Sequence, residues 1–131
     1  MYILDAPLTI PTKSKKDFRL NLNIYRNAHH YTLNTAKINY KEYMKEQIEK
    51  LPVFNKVSVN YILYPKTRHK QDISNILCIH DKFFMDALVE FGKLPSDNYD
   101  HVPMINYRWG EIDRNNPRVT IYTNQTPLRE P

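Results

Sequence analysis

The 131-residue chain is 41% apolar and 25% charged, which excludes wholesale disorder and leaves room for one hydrophobic core but not two. A single cysteine, Cys78, excludes an intramolecular disulfide and a cysteine-based zinc site, and no apolar run approaches the roughly 20 residues of a membrane span. The net charge of +5 is unevenly spread, with 13 Lys/Arg against 5 Asp/Glu in residues 1–70 and 6 against 9 in residues 71–131. A basic surface beside an acidic cluster suits a polyanionic partner and a metal-dependent site, and it equally suits a solvated basic face.

Residues 2–11 have strand character (Tyr2, Ile3, Leu4, then Leu8 and Ile10), broken by Pro7 and ended by Pro11. The opening Met1-Tyr2-Ile3-Leu4-Asp5 lacks the basic start and apolar core of a secretory signal, so a cytoplasmic location is expected. Lys13, Lys15 and Lys16 form a basic turn, after which Phe18, Leu20, Leu22 and Ile24 alternate with polar residues at the period of a half-buried strand. Tyr25 to Tyr31 reads as a polar, aromatic loop. Its adjacent His29 and His30 point apart on most backbones, which favours solvent or phosphate contact over metal ligation.

Asn34 is placed to cap a helix whose apolar stripe is Ala36, Tyr40, Tyr43, Met44, Ile48 and Leu51, and Pro52 ends it. Lys37, Lys41 and Lys45 lie on its solvated face. Val57, Val59, Tyr61 and Leu63 alternate with polar residues as a strand that Pro65 stops. A basic loop (Lys66, Arg68, Lys70) then runs into Asp72 and a second helix reaching residue 92. Met104 to Trp109 and Arg118 to Tyr122 complete the strands, joined by a turn over 110–117, and the tail 125–131 is expected to fray. The order β-β-α-β-α-β-β predicts one α+β domain over 1–131. It would have a mixed or antiparallel sheet of about four to five strands, with two main helices on one face.

At about 100° per residue from Asp72, the core face of the second helix spans about 20° to 160° and holds Ile73, Ile76, Leu77, Phe83, Phe84, Ala87, Leu88 and Phe91. Asn75, Lys82 and Asp86 fall at about 280° to 320°, one polar stripe beginning at Asp72. Asp81, near 180°, belongs to another edge, and His80 points with the apolar residues as a core histidine with a satisfied ring. The structural alternatives are an N-cap role for Asp72 and an i,i+4 surface pair for Lys82 and Asp86. Against them stands the convergence of a basic loop with a second acidic turn, Ser96-Asp97-Asn98-Tyr99-Asp100. Carboxylates, a lysine and a basic approach together suit metal-assisted phosphodiester cleavage.

The stretch 57–102 resembles the RusA family of Holliday junction resolvases, small dimeric endonucleases of phages and prophages. The family pattern is a strand, a basic run, D-x-D-N opening a helix, a lysine four residues before D-A-L, a glycine, and a D-D turn before a valine. Here Val57–Tyr64 matches the strand, residues 66–70 the basic run, and Asp72-Ile73-Ser74-Asn75 the D-x-D-N segment. Lys82 to Leu88 matches the lysine-to-D-A-L segment, Gly92 the glycine, and Ser96-Asp97 with Val102 the acidic turn. Asn21 to Arg26 looks like the family's N-x-x-Y-R segment. Two positions depart: Ser74 replaces the second carboxylate of D-x-D-N, and Ser96 the first of D-D.

The resemblance implies a Mg²⁺-dependent (or Mn²⁺-dependent) endonuclease that cuts branched DNA as a homodimer in the bacterial host cytoplasm. No small-molecule cofactor and no membrane partner are implied. By match, Asp72, Lys82 and Asp97 are the catalytic residues, and Asp72 and Asp97 hold the metal. Asp86 or Asp81 completes the metal site, Asp86 having the better angular position. Asn75 and Ser74 support the site, and Lys13, Lys15, Lys16, Arg26, Lys66, Arg68 and Lys70 track phosphates. The alternative is a branched-DNA-binding protein of the same fold with weakened or lost cleavage, Ser74 being the lesion.

Overall fold

The computed structural model describes residues 1–12 and 17–125, so the basic turn with Lys13, Lys15 and Lys16 and the tail from residue 126 lie outside the described residues. The elements are β1 (Tyr2–Ala6), β2 (Thr9–Ile10), β3 (Phe18–Arg19), α1 (Leu22–Asn27), α2 (His30–Glu49), β4 (Val57–Tyr64), α3 (Ile73–Glu90), β5 (Met104–Trp109) and β6 (Arg118–Gln125). Four strands form a mixed sheet in the order β1-β6-β4-β5, and β2 and β3 form a separate two-stranded ribbon. This is the expected α+β architecture with two long helices.

Alternation along the strands decides which face is covered. Leu4, Ala6, Val57, Val59, Tyr61, Leu63, Val119 and Ile121 are all buried on the side that meets the helices. From α2, Ala36, Tyr40, Met44 and Ile48 reach this core; from α3, nine residues between Ile76 and Leu88 do. Phe83 is a hub, with the rings of Phe18, Tyr25 and Tyr40 centred 6.3, 6.4 and 5.4 Å away. No helix among the described residues is long and apolar enough to cross a membrane.

The alternation seen from Phe18 to Ile24 does not continue as one strand. β3 stops at Arg19, and the Asn21 side chain accepts a hydrogen bond from the Ile24 amide at 2.9 Å, capping α1. The expected aromatic loop is largely helical: α1 includes Tyr25 to Asn27, and α2 begins at His30, with His29 rather than Asn34 at its cap. A local side-chain acceptor, invisible to a period count, decides where this segment turns.

The pair β4–β5 is parallel, and α3 forms the crossover between them. Helix α3 ends on Gly92, whose φ of 72° is open to glycine and strained for other residues. The amide of Lys93 reaches the Leu88 carbonyl at 2.8 Å and that of Gly92 reaches Val89 at 3.1 Å, the two bonds of a Schellman cap. This stop aims the chain into the 96–100 turn. There the Ser96 hydroxyl accepts from the Asn98 amide at 3.3 Å and the Asn98 side chain accepts from the Asp100 amide at 2.9 Å.

Candidate functional site along α3

Two sites lie along α3 where the sequence suggested one. Their separation follows from helical rise. Asp72 and Asp86 share a stripe by angle, yet 14 residues at 1.5 Å each set them about 21 Å apart along the axis. One small cation cannot take both as ligands. No group of three His, Cys, Asp or Glu side chains able to hold a metal is formed among the described residues, so the expected set of Asp72, Asp86 and Asp97 is not assembled. The stripe is also interrupted by Ile79, which is fully buried between Asn75 and Lys82.

Asp81 is the carboxylate that senses the Asp97 charge. It is half-buried, and the Tyr61 hydroxyl donates to its Oδ1 at 2.8 Å from the middle of β4. Burial pushes the Asp81 carboxyl above the usual range. The Tyr61 hydrogen bond opposes the shift, the Asp97 charge adds to it, and Lys82 opposes it. Tyr107 on β5 packs against Tyr61 at 5.9 Å between centroids; burial and then Asp81 push its hydroxyl up to about 12. Burial likewise raises the Cys78 thiol, with Lys82 and Arg26 acting against the shift. Cys78 is therefore held as a thiol, and the charges that act on it are Lys82, Asp81 and Arg26.

Lys82 is exposed and forms no ion pair with Asp86 among the described residues; its Nζ lies 5.9 Å from the centre of the Tyr25 ring. That contact steadies the side chain on the α1 side without neutralising it. Arg26, one residue on from Tyr25, is exposed on the same short helix. Asp81 therefore has one cation, Lys82, within electrostatic reach, and Arg26 acts on Cys78 one turn earlier in α3.

The second site is a cleft of about 710 Å³ at the other end of α3, lined among others by Asn21, Arg68, Lys70, Asp72, Asn75 and Trp109. Asp72 occupies the N-cap position, but its carboxylate caps no backbone amide; Asn75 Nδ2 approaches it at 3.4 Å. Ser74 is exposed beside it, and Lys66 is exposed at the start of the same loop. Asp72 and Asp81 are nine residues apart, about 14 Å of rise, so Asp72 belongs to the basic cleft and not to the acidic pair.

His80 is fully buried as expected, yet neither ring nitrogen has a hydrogen-bond partner among the described residues. Burial lowers its pKa to about 3, so it is a neutral core residue and not a ligand. No protein-family model matches the chain, and no curated protein matches it.

Trp109 is the residue that sequence reasoning passed over, and Asp81 is the one it ranked behind Asp86. The signal for Asp81 was its angle near 180°, just beyond the apolar arc, where a side chain is half-buried against the sheet. For Trp109 it was the only indole in the chain, placed at a strand end before Gly110.

Proposed function

We propose that this chain is a metal-dependent, structure-selective DNA endonuclease of the RusA type that nicks four-way junctions. Asp81 and Asp97 hold the divalent cation, and Lys82 is the catalytic lysine. The observation that carries the reading is Asp81, half-buried and held by the Tyr61 hydroxyl at 2.8 Å, within electrostatic reach of both Asp97 and Lys82. A carboxylate whose affinity for a proton is raised by burial, and further by the charge of a second carboxylate, is relieved when a cation binds beside it. Two carboxylates also fit Mg²⁺, which keeps several waters and takes its remaining ligands from phosphate oxygens. Mn²⁺ shares that preference for oxygen donors.

When bound, such an ion supplies a water of lowered pKa and neutralises charge on the attacked phosphate. The protein's own groups do the rest. Tyr61 fixes the rotamer of Asp81 through its hydroxyl. Lys82 and Arg26 supply positive charge for the phosphate that enters the transition state. Lys66, Arg68 and Lys70 hold the flanking backbone, giving affinity without sequence choice. A four-way junction has two-fold symmetry, and a homodimer matches its two nicks.

The test is cleavage of a labelled four-way junction in Mg²⁺. Wild type is expected to nick it, Asp81→Asn and Asp97→Asn to lose at least about 10²-fold in rate, and Asp72→Asn to retain most of it. Loss in Asp72→Asn with normal cleavage by Asp81→Asn would return the metal to the opposite end of α3.

A second reading, a branched-DNA-binding protein that does not cut, draws support from Ser74, which leaves Asp72 without the neighbouring carboxylate of the D-x-D-N pattern. It predicts junction binding that is identical in Mg²⁺ and in EDTA, with no nick in either.

A further inference from the structure

We propose that the cleft at the carboxyl ends of β4 and β5 binds one unstacked nucleotide, its base lying on the Trp109 indole and its phosphate held by Arg68 and Lys70. The inference rests on the DNA-binding half of the preceding reading, and it makes that partner specific: single-stranded or branch-point DNA rather than intact duplex.

Position is the first argument. In α/β sheets, ligands sit beyond the carboxyl ends of parallel strands, where the crossover helix begins. Among the described residues β4 and β5 are the one parallel pair, and α3 is their crossover. The cleft opens at that end, and its volume of about 710 Å³ falls within the range of small-ligand sites, which run from about 300 to 1,000 Å³.

Chemistry is the second. Trp109 is 46% exposed, although an indole is the side chain with the most apolar area to bury. Its backbone is held by β4. Leu63 is its partner across the parallel ladder, and the Gly110 amide donates to the Leu63 carbonyl at 2.9 Å. Gly110 itself lies against Tyr64 so closely that a Cβ there would come within 2.6 Å of the ring. The indole is therefore presented from a fixed strand end, not from a mobile loop.

Around it stand two exposed cations, Arg68 and Lys70, neither with an ion-pair partner among the described residues, and one carboxylate, Asp72. The amides of Asn21 and Asn75 also line the cleft, suited to the polar edge of a base. An aromatic face beside phosphate-binding cations is how proteins hold single strands without reading their sequence. A base pair inside a duplex shows the protein its edge and not its face, so only an unpaired base can lie on Trp109.

Trp109 is the sole tryptophan, so all indole emission reports on this cleft. The experiment titrates the full chain, in EDTA, with an oligothymidylate of about 10 nucleotides, following emission and, with a labelled strand, anisotropy. Saturable quenching is expected. Trp109→Ala should weaken binding about tenfold or more, with Trp109→Phe in between, and Arg68→Gln and Lys70→Gln should each lower the salt slope by about 0.7. The Phe variant keeps a ring in place, so its binding can be read even if the Ala variant unfolds.

Binding that leaves emission unchanged, equal quenching by a blunt duplex, or no binding at all overturns the inference. Because metal is absent, cleavage plays no part in the readout. A chain that is quenched by single strands but never nicks a junction would sink the nuclease reading alone. One that nicks junctions while Trp109 stays silent would sink this inference alone.

Discussion

At neutral pH an ionised Asp81 works against the fold, because burial and the Asp97 charge both favour its protonated form. A carboxyl with a raised folded pKa stabilises below its unfolded pKa and loses that contribution as pH rises through the folded value. Asp81→Asn keeps an oxygen for the Tyr61 hydroxyl and removes the charge. In metal-free buffer at pH 7 it is expected to raise stability by about 0.5–1 kcal/mol in urea melts while removing cleavage, the trade-off of a functional residue. A fall in stability would make Asp81 a structural acceptor instead. His80 titrates with the opposite sign. Its folded pKa of about 3 lies below the ordinary 6.5, so its contribution is complete above that value and is lost as pH falls toward 3. Metal-free stability should drop by up to about 1.4 kcal/mol per pH unit in that window, and His80→Leu should flatten the drop.

Helix α3 shows what a sequence can and cannot disclose at the scale of an element. Of its expected core residues, Ile76, Leu77, Phe83, Phe84, Ala87 and Leu88 are buried, while Ile73 and Phe91 at its two ends are half-buried. Ile79 and Met85 fall outside the apolar arc and are buried too, because α1 and α2 cover flanks that an isolated helix would leave to water. The candidate site was legible in composition but not in depth: an angular projection discards rise, so Asp72 and Asp86 fall together on a wheel while standing far apart in space. Long-range partners such as Tyr61 for Asp81, 20 residues away in sequence, have no local signature at all. Gly92 was legible as a motif position and acquires a physical reason in its positive φ. Nothing lies within 4 Å of a Cβ built there, so Gly92→Ala tests backbone strain alone. It should cost about 1–2 kcal/mol in urea melts, and a neutral result would mean that the Schellman cap relaxes.

Across the whole molecule, the charge split between residues 1–70 and 71–131 becomes a spatial arrangement. Exposed Lys66, Arg68 and Lys70 lie on the loop leading into α3, and Arg26 is exposed on α1, which packs against the same helix. Each that neutralises a phosphate releases counterions. Replacing any one with glutamine should therefore reduce the slope of log affinity against log salt for a four-way junction by about 0.9. The lysines of α2 serve as the internal comparison. Lys41 is tied to Glu90 of α3 at 2.8 Å and Lys45 to Glu49 at 3.9 Å, so Lys45→Gln should leave the slope unchanged. If the α2 substitution lowers the slope as much as Arg68→Gln, DNA binds diffusely over the basic surface. If only the loop and α1 substitutions do so, the backbone is tracked along α3 from the Trp109 cleft to the Asp81–Asp97 pair. Asp72, which lines that cleft, and Asp81 are separated by about 14 Å of helix rise, roughly the span of two to four nucleotides of an extended strand.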